Sequence, residues 1–337
     1  VRDVKFNNDG TKMFMLGRGS DGVYEYSLST AFDISTLTFV RELDIGSDVA
    51  ADSGRETAAN SIEFNLDGTK LFVLGQSDDD VNEWALSTGF DLSTASFTDA
   101  YDISGQEDQP YGLAFNNDGT KMYVTGWRGD DINQYHLSTA FDVSTAVYFQ
   151  KFSTEGTGRS NPSGIQFNAD GTTMYVLLGN TNPRIQEFSL TIAYDISTAS
   201  FTNKFFDVTN EEDRARGFCF SNDHTQLFVV GYRSDDINEY TVNNDVDLIV
   251  IQDGFSKIQM EEFEGSIIQE NGSNIELEGD VAARNYLLSE SYTESTQIIS
   301  EDPHDPFYIM MEEDGNDYLI EQEGAENEFF VNEDDSG

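Results

Sequence analysis

Apolar and polar residues alternate with a period of two in short bursts along residues 1 to 244, and apolar positions nowhere recur at helical spacing over ten or more residues. One stretch shows the pattern. Tyr111 to Phe115 is largely apolar, Asn117-Asp118-Gly119 is a turn, Met122 to Gly126 is a second run, and Ile132 to Leu137 alternates apolar with polar. After the loop Ser138 to Thr145, Ala146 to Phe152 forms a fourth run. Asp-Gly between two apolar runs predicts a tight hairpin, because a two-residue turn needs positive φ, which Gly and Asn or Asp tolerate. The stretch therefore reads as four short antiparallel strands, a to d.

The unit recurs. Phe-Asn-x-Asp-Gly-Thr-Lys runs from Phe6 to Lys12, Phe64 to Lys70 and Phe115 to Lys121, and returns in weaker form from Phe167 to Thr173 and from Phe220 to Gln226. The anchor phenylalanines are thus 51 to 58 residues apart. A single small sheet cannot bury both of its faces, whereas tandem sheets packed face to face around an axis can. The expected fold is all-β, a β-propeller of five visible four-stranded repeats over residues 1–244, followed by an acidic β-rich tail over 245–337. Tyr26, Trp84, Tyr135, Phe188 and Tyr240 share one strand c position and are expected in the blade cores. Closure stays open. The fifth copy lacks the Ser-Thr-Ala-Phe-Asp loop, so its outer strand is either Val246 to Ile251 or absent. The repeats start mid-pattern at Val1, so either five blades close the ring or the propeller is N-terminally incomplete.

The run Phe-Asn-Asn-Asp-Gly-Thr-Lys-Met-Tyr-Val at 115–124 resembles the repeats of surface-layer and lactonase-like β-propellers. The longer unit adds Asp-Ile-Asn-Gln-Tyr at 131–135 and Leu-Ser-Thr-Ala-Phe-Asp-Val-Ser-Thr at 137–145, and it resembles repeats of virion-associated tail or appendage proteins of marine bacteriophages. These resemblances imply a virion or extracellular location and a role in structure or host recognition. Lactonase-like propellers would hold one metal with carboxylate, Asn or His ligands on the inner strands. Here the position before each anchor Phe reads Lys5, Glu63, Ala114, Gln166 and Cys219, a poor ligand set.

From Asp245 onward the chain holds 26 acidic residues and two basic ones. Short apolar runs recur there, among them Ile267-Ile268, Leu287-Leu288 and Ile309 to Met311, with Gly-containing turns between many of them. Such units bury too little area alone to offset the entropy of ordering the chain. A homo-oligomeric β-stalk would supply the missing partner surface; a linker carrying short binding strands is the alternative.

Charge narrows the function. The whole chain carries 63 acidic and 18 basic residues, a net charge of -45, which opposes nucleic acids and anionic membranes. Cys219 is the one cysteine, so no intrachain disulfide framework exists, and no apolar run approaches the length of a spanning helix. No signal peptide is visible at the start given. A high acidic charge with few lysines fits a salt-rich, marine and extracellular medium.

Against this background the arginines stand out. In a propeller the b to c and d to a loops share one end. Arg18, Arg128, Arg184 and Arg233 are assigned to b to c loops, and Arg55, Arg159, Arg214 and Arg216 to d to a loops. Trp127 and Tyr232 accompany them, while Lys12, Lys70 and Lys121 fall at the other end. Guanidinium groups bind acidic groups bidentately and stack on sugar faces, so this end is a candidate glycan-binding face. Asp79-Asp80, Asp130-Asp131 and Asp235-Asp236 in neighbouring loops could instead pair with the arginines. The same acidic pairs suit calcium, but no calcium-loop spacing or metal ligand set is present, and no other cofactor is expected. His136, His224 and His304 lack any Ser-Asp or metal-ligand context, so no catalytic residue is named. The expectation is a non-enzymatic virion or surface recognition protein whose partner is a glycan or a virion protein. Its rivals are a polysaccharide-degrading or lactonase-type propeller enzyme and a purely structural virion decoration.

Overall fold

A computed structural model describes residues 1–242 apart from 18–21, 47–57, 156, 158–159, 180, 210–213 and 232–236, and beyond them the backbone of short strands. The chain divides into two compact units, Val1–Val242 and Asn243–Gly337.

The first unit is a five-bladed β-propeller. Blade 1 is β1 (Asp3–Phe6), β2 (Lys12–Gly17), β3 (Gly22–Leu28) and β4 (Leu37–Asp44), and blade 2 is β5 (Ala59–Phe64), β6 (Lys70–Gly75), β7 (Asp80–Leu86) and β8 (Ala95–Asp102). Blade 3 is β9 (Pro110–Phe115), β10 (Lys121–Gly126), β11 (Asp131–Leu137) and β12 (Ala146–Ser153), and blade 4 is β13 (Pro162–Phe167), β14 (Thr173–Leu178), β15 (Arg184–Leu190) and β16 (Ala199–Asp207). Blade 5 has β17 (Ala215–Phe220), β18 (Gln226–Gly231) and β19 (Ile237–Thr241), with no outer strand among the described residues. Each sheet is an antiparallel meander in chain order.

Five apolar clusters fill the gaps between blades. Phe14, Leu16 and Val23 of blade 1 pack on Ile62, Leu71 and Trp84 of blade 2, and equivalent clusters follow around the ring. The last joins Cys219, Phe228 and Val230 of blade 5 to Val4, Met13 and Leu28 of blade 1. The ring is therefore closed at five blades, and Asn222 Nδ2 of blade 5 donates to Asn8 O of blade 1. Trp84, Tyr135 and Phe188 are buried as expected, while Tyr26 and Tyr240 are half-buried.

The turns differ from the expected hairpin in one respect. In blade 3 Gly119 N–H donates to Asn116 O (3.0 Å) and Asn116 N–H to Lys121 O (3.1 Å), and within this turn only Gly119 has positive φ, +71°. This is a turn followed by a left-handed glycine rather than a two-residue turn with two such residues. The glycine has a second reason to be there: a Cβ on it would lie 2.2 Å from Phe141, the c to d loop aromatic folded over the turn. Phe32, Phe90 and Tyr194 lie likewise over Gly10, Gly68 and Gly171. In blade 5 the Ser-Thr-Ala-Phe-Asp segment is missing from the sequence after strand c, and His224 takes the glycine's place at φ +57°.

Lysines of these turns bind neighbouring blades. Lys70 Nζ reaches Glu83 Oε1 in its own blade (2.6 Å) and Phe141 O in the next (2.6 Å), while Glu83 Oε2 accepts Val143 N–H (3.0 Å). Lys12, Glu25 and Leu92 N–H repeat this between blades 1 and 2.

In the second unit strands pair mostly in parallel. β20 (Leu248–Ile251), β21 (Ile258–Gln259), β22 (Ser266–Gln269), β23 (Ile275–Glu278), β24 (Tyr286–Leu288), β25 (Ile298–Ser300), β26 (Ile309–Glu313), β27 (Asn316–Gln322) and β28 (Phe329–Asn332) form two sheets, ordered β20-β22-β24-β26-β27-β28 and β21-β23-β25. Alternate strands stack in parallel up to β26, the arrangement of a coiling chain, and only β26, β27 and β28 form antiparallel pairs. β20 (Leu248–Ile251), the described part of the Val246 to Ile251 segment, therefore pairs within this unit's sheet and not with blade 5.

Candidate functional site

A cavity of about 540 Å³ opens where the a to b turns converge around the axis. It is lined by the position before every anchor Phe: Lys5, Glu63, Ala114, Gln166 and Cys219. Strand alternation makes this so. The anchor rings pack in or against the clusters between blades, which turns the preceding side chain toward the channel.

Lys5 Nζ contacts Glu63 Oε2 at 2.9 Å, joining blades 1 and 2 across the channel wall. Burial alone would lower the Lys5 pKa, but the neighbouring Glu63 and Asp3 carboxylates outweigh it and hold the ammonium protonated above the usual lysine range. Gln166 Oε1 accepts Phe220 N–H at 3.0 Å, leaving its amide N–H groups for a guest. Deeper in blade 1, Asp3 Oδ2 accepts from Ser61 Oγ (2.6 Å) and Ile62 N–H (3.0 Å). Burial raises the Asp3 pKa against the opposing pull of Lys5. Burial also pushes the Cys219 thiol well above its ordinary value, so it is a packed hydrophobe and no ready nucleophile.

The rim is acidic and five-fold. Asn8, Leu66, Asn117, Ala169 and Asn222 line the mouth, and each is followed by an aspartate: Asp9, Asp67, Asp118, Asp170 and Asp223. A Thr hydroxyl and a Thr N–H bind each carboxylate and lower its pKa, with the hydroxyl of Ser221 the leading cause at Asp223, which falls to about 2. These aspartates are one residue removed from the cavity lining. The sequence carried the signal in its Asp-Gly turns, since equivalent turns of a closed ring must share an end; within a single repeat they read as turn formers alone.

Of the candidate arginines, the described ones, Arg128, Arg184, Arg214 and Arg216, lie in or beside the strands and loops away from the a to b turns. Arg128 is in the b to c loop and forms an ion pair with Asp108, outside the acidic pairs expected. Arg184 is the first residue of β15 rather than a loop residue; it pairs with Asp207 (2.9 Å) and lies 4.2 Å over the Phe205 ring. Arg216 lies within β17, not in a d to a loop, because strand a of blade 5 begins at Ala215. It is 7% exposed, and its guanidinium rests against Trp127 (4.5 Å) and Tyr111 (5.5 Å), two rings that stack on each other at 4.1 Å. Arg214 precedes β17. Arg18, Arg55, Arg159, Arg233 and Tyr232 lie outside the described residues, as do Asp235, Asp236 and His304. The structure thus joins Trp127, Tyr111 and Arg216 in one cluster spanning blades 3 and 5; the sequence placed Trp127 and Arg216 at one end but not in contact.

Among the acidic pairs, Asp130 Oδ1 accepts Asn161 N–H (2.6 Å) and Asp131 Oδ2 binds Lys151 (2.7 Å). Among the described residues no group of three or more His, Cys, Asp and Glu is placed to hold a metal ion. At the channel ring an ammonium lies against the only carboxylate, Glu63, where a metal's ligands would have to converge, so a lactonase-like metal centre does not fit these residues.

No family model and no curated protein matches the sequence. Solved structures do. A candidate 6-phosphogluconolactonase from Bacteroides uniformis is similar with TM-score 0.45 and 14% identity over 72% of this chain and 66% of that one, so the chain spans just under two thirds of that protein. A second candidate 6-phosphogluconolactonase, from Bacteroides fragilis, has TM-score 0.47 and 14% identity, with 71% and 79% of the two chains covered. A protein from Lactobacillus plantarum has TM-score 0.44 and 16% identity over 72% and 67%. The fold assignment rests on this chain's own sheets and closed ring.

Proposed function

We propose that this protein is a recognition module that seats a small, uncharged, hydroxyl-rich ligand, such as a terminal sugar, in the channel-mouth cavity. The observation that carries this is the pairing of a cavity of about 540 Å³ with a polar, charge-balanced lining of Lys5, Glu63 and Gln166. Ammonium, carboxylate and amide together offer donors and acceptors to hydroxyl groups, while the ionised rim opposes phosphorylated or carboxylated ligands. The glycan expectation therefore moves from the arginine-bearing end to the turn end, because Arg128, Arg184 and Arg216 already engage carboxylates or rings. A virion or extracellular setting belongs to this proposal, supported by the resemblance of the repeats and by the charge of -45. Oligomerisation through the tail belongs to it too, supported by the tail's recurrent apolar runs.

The same cavity supports a second reading, a lactonase-type enzyme working without a metal. In it Glu63 draws a proton from a water attacking a ring ester, and Lys5 stabilises the oxyanion. One set of titrations separates the two. Calorimetry with neutral monosaccharides should show binding that Glu63→Gln weakens at least tenfold, with no hydrolysis of glucono-δ-lactone above buffer. Lactone turnover abolished by Glu63→Gln would establish the enzyme instead, and neither binding nor turnover would remove both.

A further inference from the structure

Blades 1 to 4 each end in an outer strand, and blade 5 has none beyond β19 among the described residues. Val242 N–H donates to Thr225 O at 2.7 Å, so by alternation the N–H and C=O groups of Thr241, Glu239 and Ile237 point away from β18. No strand pairs with that side among the described residues. β11 is buried along nearly its whole length, whereas β19 is half-buried or exposed at every position. Such a row of unpaired backbone groups is a template for another extended chain.

We propose that the outer edge of β19 accepts an extended strand from a partner protein, a strand carrying an aromatic residue and, two positions on, a basic one. The four complete blades supply the template. At the strand c position shared by Tyr240, Tyr26 pairs with Phe39, Trp84 with Phe97, Tyr135 with Tyr148 and Phe188 with Phe201, all in direct register. Their ring centroids lie 5.6 to 5.8 Å apart. In blade 1 the neighbouring strand c acid, Glu25, faces Arg41 across the ladder, two residues beyond Phe39, and pairs with it at 3.3 Å. Glu239 holds the equivalent place in β19 and is exposed.

Charge selects among the occupants. Two copies joined edge to edge about a two-fold axis would set the centre of one β19, Glu239, against the same residue of the other, between chains that each carry -45. A strand with a basic residue meets that carboxylate with opposite sign.

The test uses the full chain and a synthetic peptide of residues 37–43, a generic outer strand, with backbone hydrogen exchange read over 237–241. Saturating peptide should slow exchange of the Glu239 and Thr241 amides at least tenfold, and a peptide with Phe39→Ala and Arg41→Glu should bind at least tenfold more weakly. Equal effects of the two peptides, or none from either, would overturn the proposal. So would protection of those amides in the free monomer to the level of β15, since the chain would then cover its own edge. A dimer whose formation protects 237–241 would assign the edge to a second copy and overturn it as well.

Discussion

Replacing Gly119 by alanine probes the coupling between turn and loop that each complete blade repeats. Two costs arise. A non-glycine residue in the left-handed region costs about 1–2 kcal/mol, and at φ +71° an alanine in place of Gly119 would meet that in full. The added Cβ would also lie 2.2 Å from the Phe141 ring, which must leave its contacts with Phe115 and Phe72 at 5.6 and 6.3 Å. Removing a buried phenylalanine outright costs about 3–5 kcal/mol, so displacing this half-buried ring should cost about 1–2 kcal/mol. Gly119→Ala is thus expected to destabilise by about 2–4 kcal/mol, lowering Tm by about 5–15 °C at this domain size. The cycle with Phe141→Ala makes the reasoning specific: once the ring is gone, alanine costs only the backbone strain, so the double variant should fall short of additivity by about 1–2 kcal/mol. Urea denaturation of the four proteins measures it. Additivity to within about 0.5 kcal/mol would refute the steric argument. Blade 5 is the natural counterpart: its sequence lacks the Ser-Thr-Ala-Phe-Asp segment that carries the lid aromatic, and His224 stands where the glycine stood.

Further outcomes follow from the same geometry. Glu83→Gln removes a carboxylate that is 6% exposed and that binds both Lys70 and Val143 N–H, and it should destabilise by about 2–4 kcal/mol in chemical denaturation. Arg128→Ala removes an ion pair whose arginine side chain is 69% exposed, so the unfolding free energy from chemical denaturation should change by less than about 0.5 kcal/mol. Burial lowers the His224 pKa below 6.5 against the opposing pull of Asp223. The unfolded chain therefore takes up a proton below that pH before the folded one does, and this contribution to stability, full above it, declines as pH falls toward the folded value. Burial lowers His136 in the same direction, so the double variant His136→Asn/His224→Asn should flatten the loss of stability between about pH 7.5 and pH 5.5 more than either single change.

Much of the propeller was legible because it is written five times. The strand runs read from residues 111–152 match β9 to β12 to within one residue, since alternation and the Asn-Asp-Gly turns fix register locally. Closure was not legible, because it depends on contacts between ends of the ring such as Asn222 with Asn8 and Phe228 with Val4. Face sorting placed Arg128 and Arg214 between strands, as observed, but misplaced Arg184 and Arg216, which strands extending one or two residues further had absorbed. The channel ring of Lys5, Glu63, Ala114, Gln166 and Cys219 was visible as a column of the repeat. What no single repeat could show is that Lys5 and Glu63, one blade apart, meet at 2.9 Å and leave a cavity before them.

The channel mouth as a ligand seat is tested most directly by solving the structure of crystals soaked in a neutral monosaccharide. The account predicts the sugar in the turn-end cavity, hydroxyls on Glu63 and Gln166, and no density there when Glu63→Gln crystals are soaked alike. Sugar bound instead against Arg128 and Trp127 at the opposite end, with the cavity left to solvent, would contradict it.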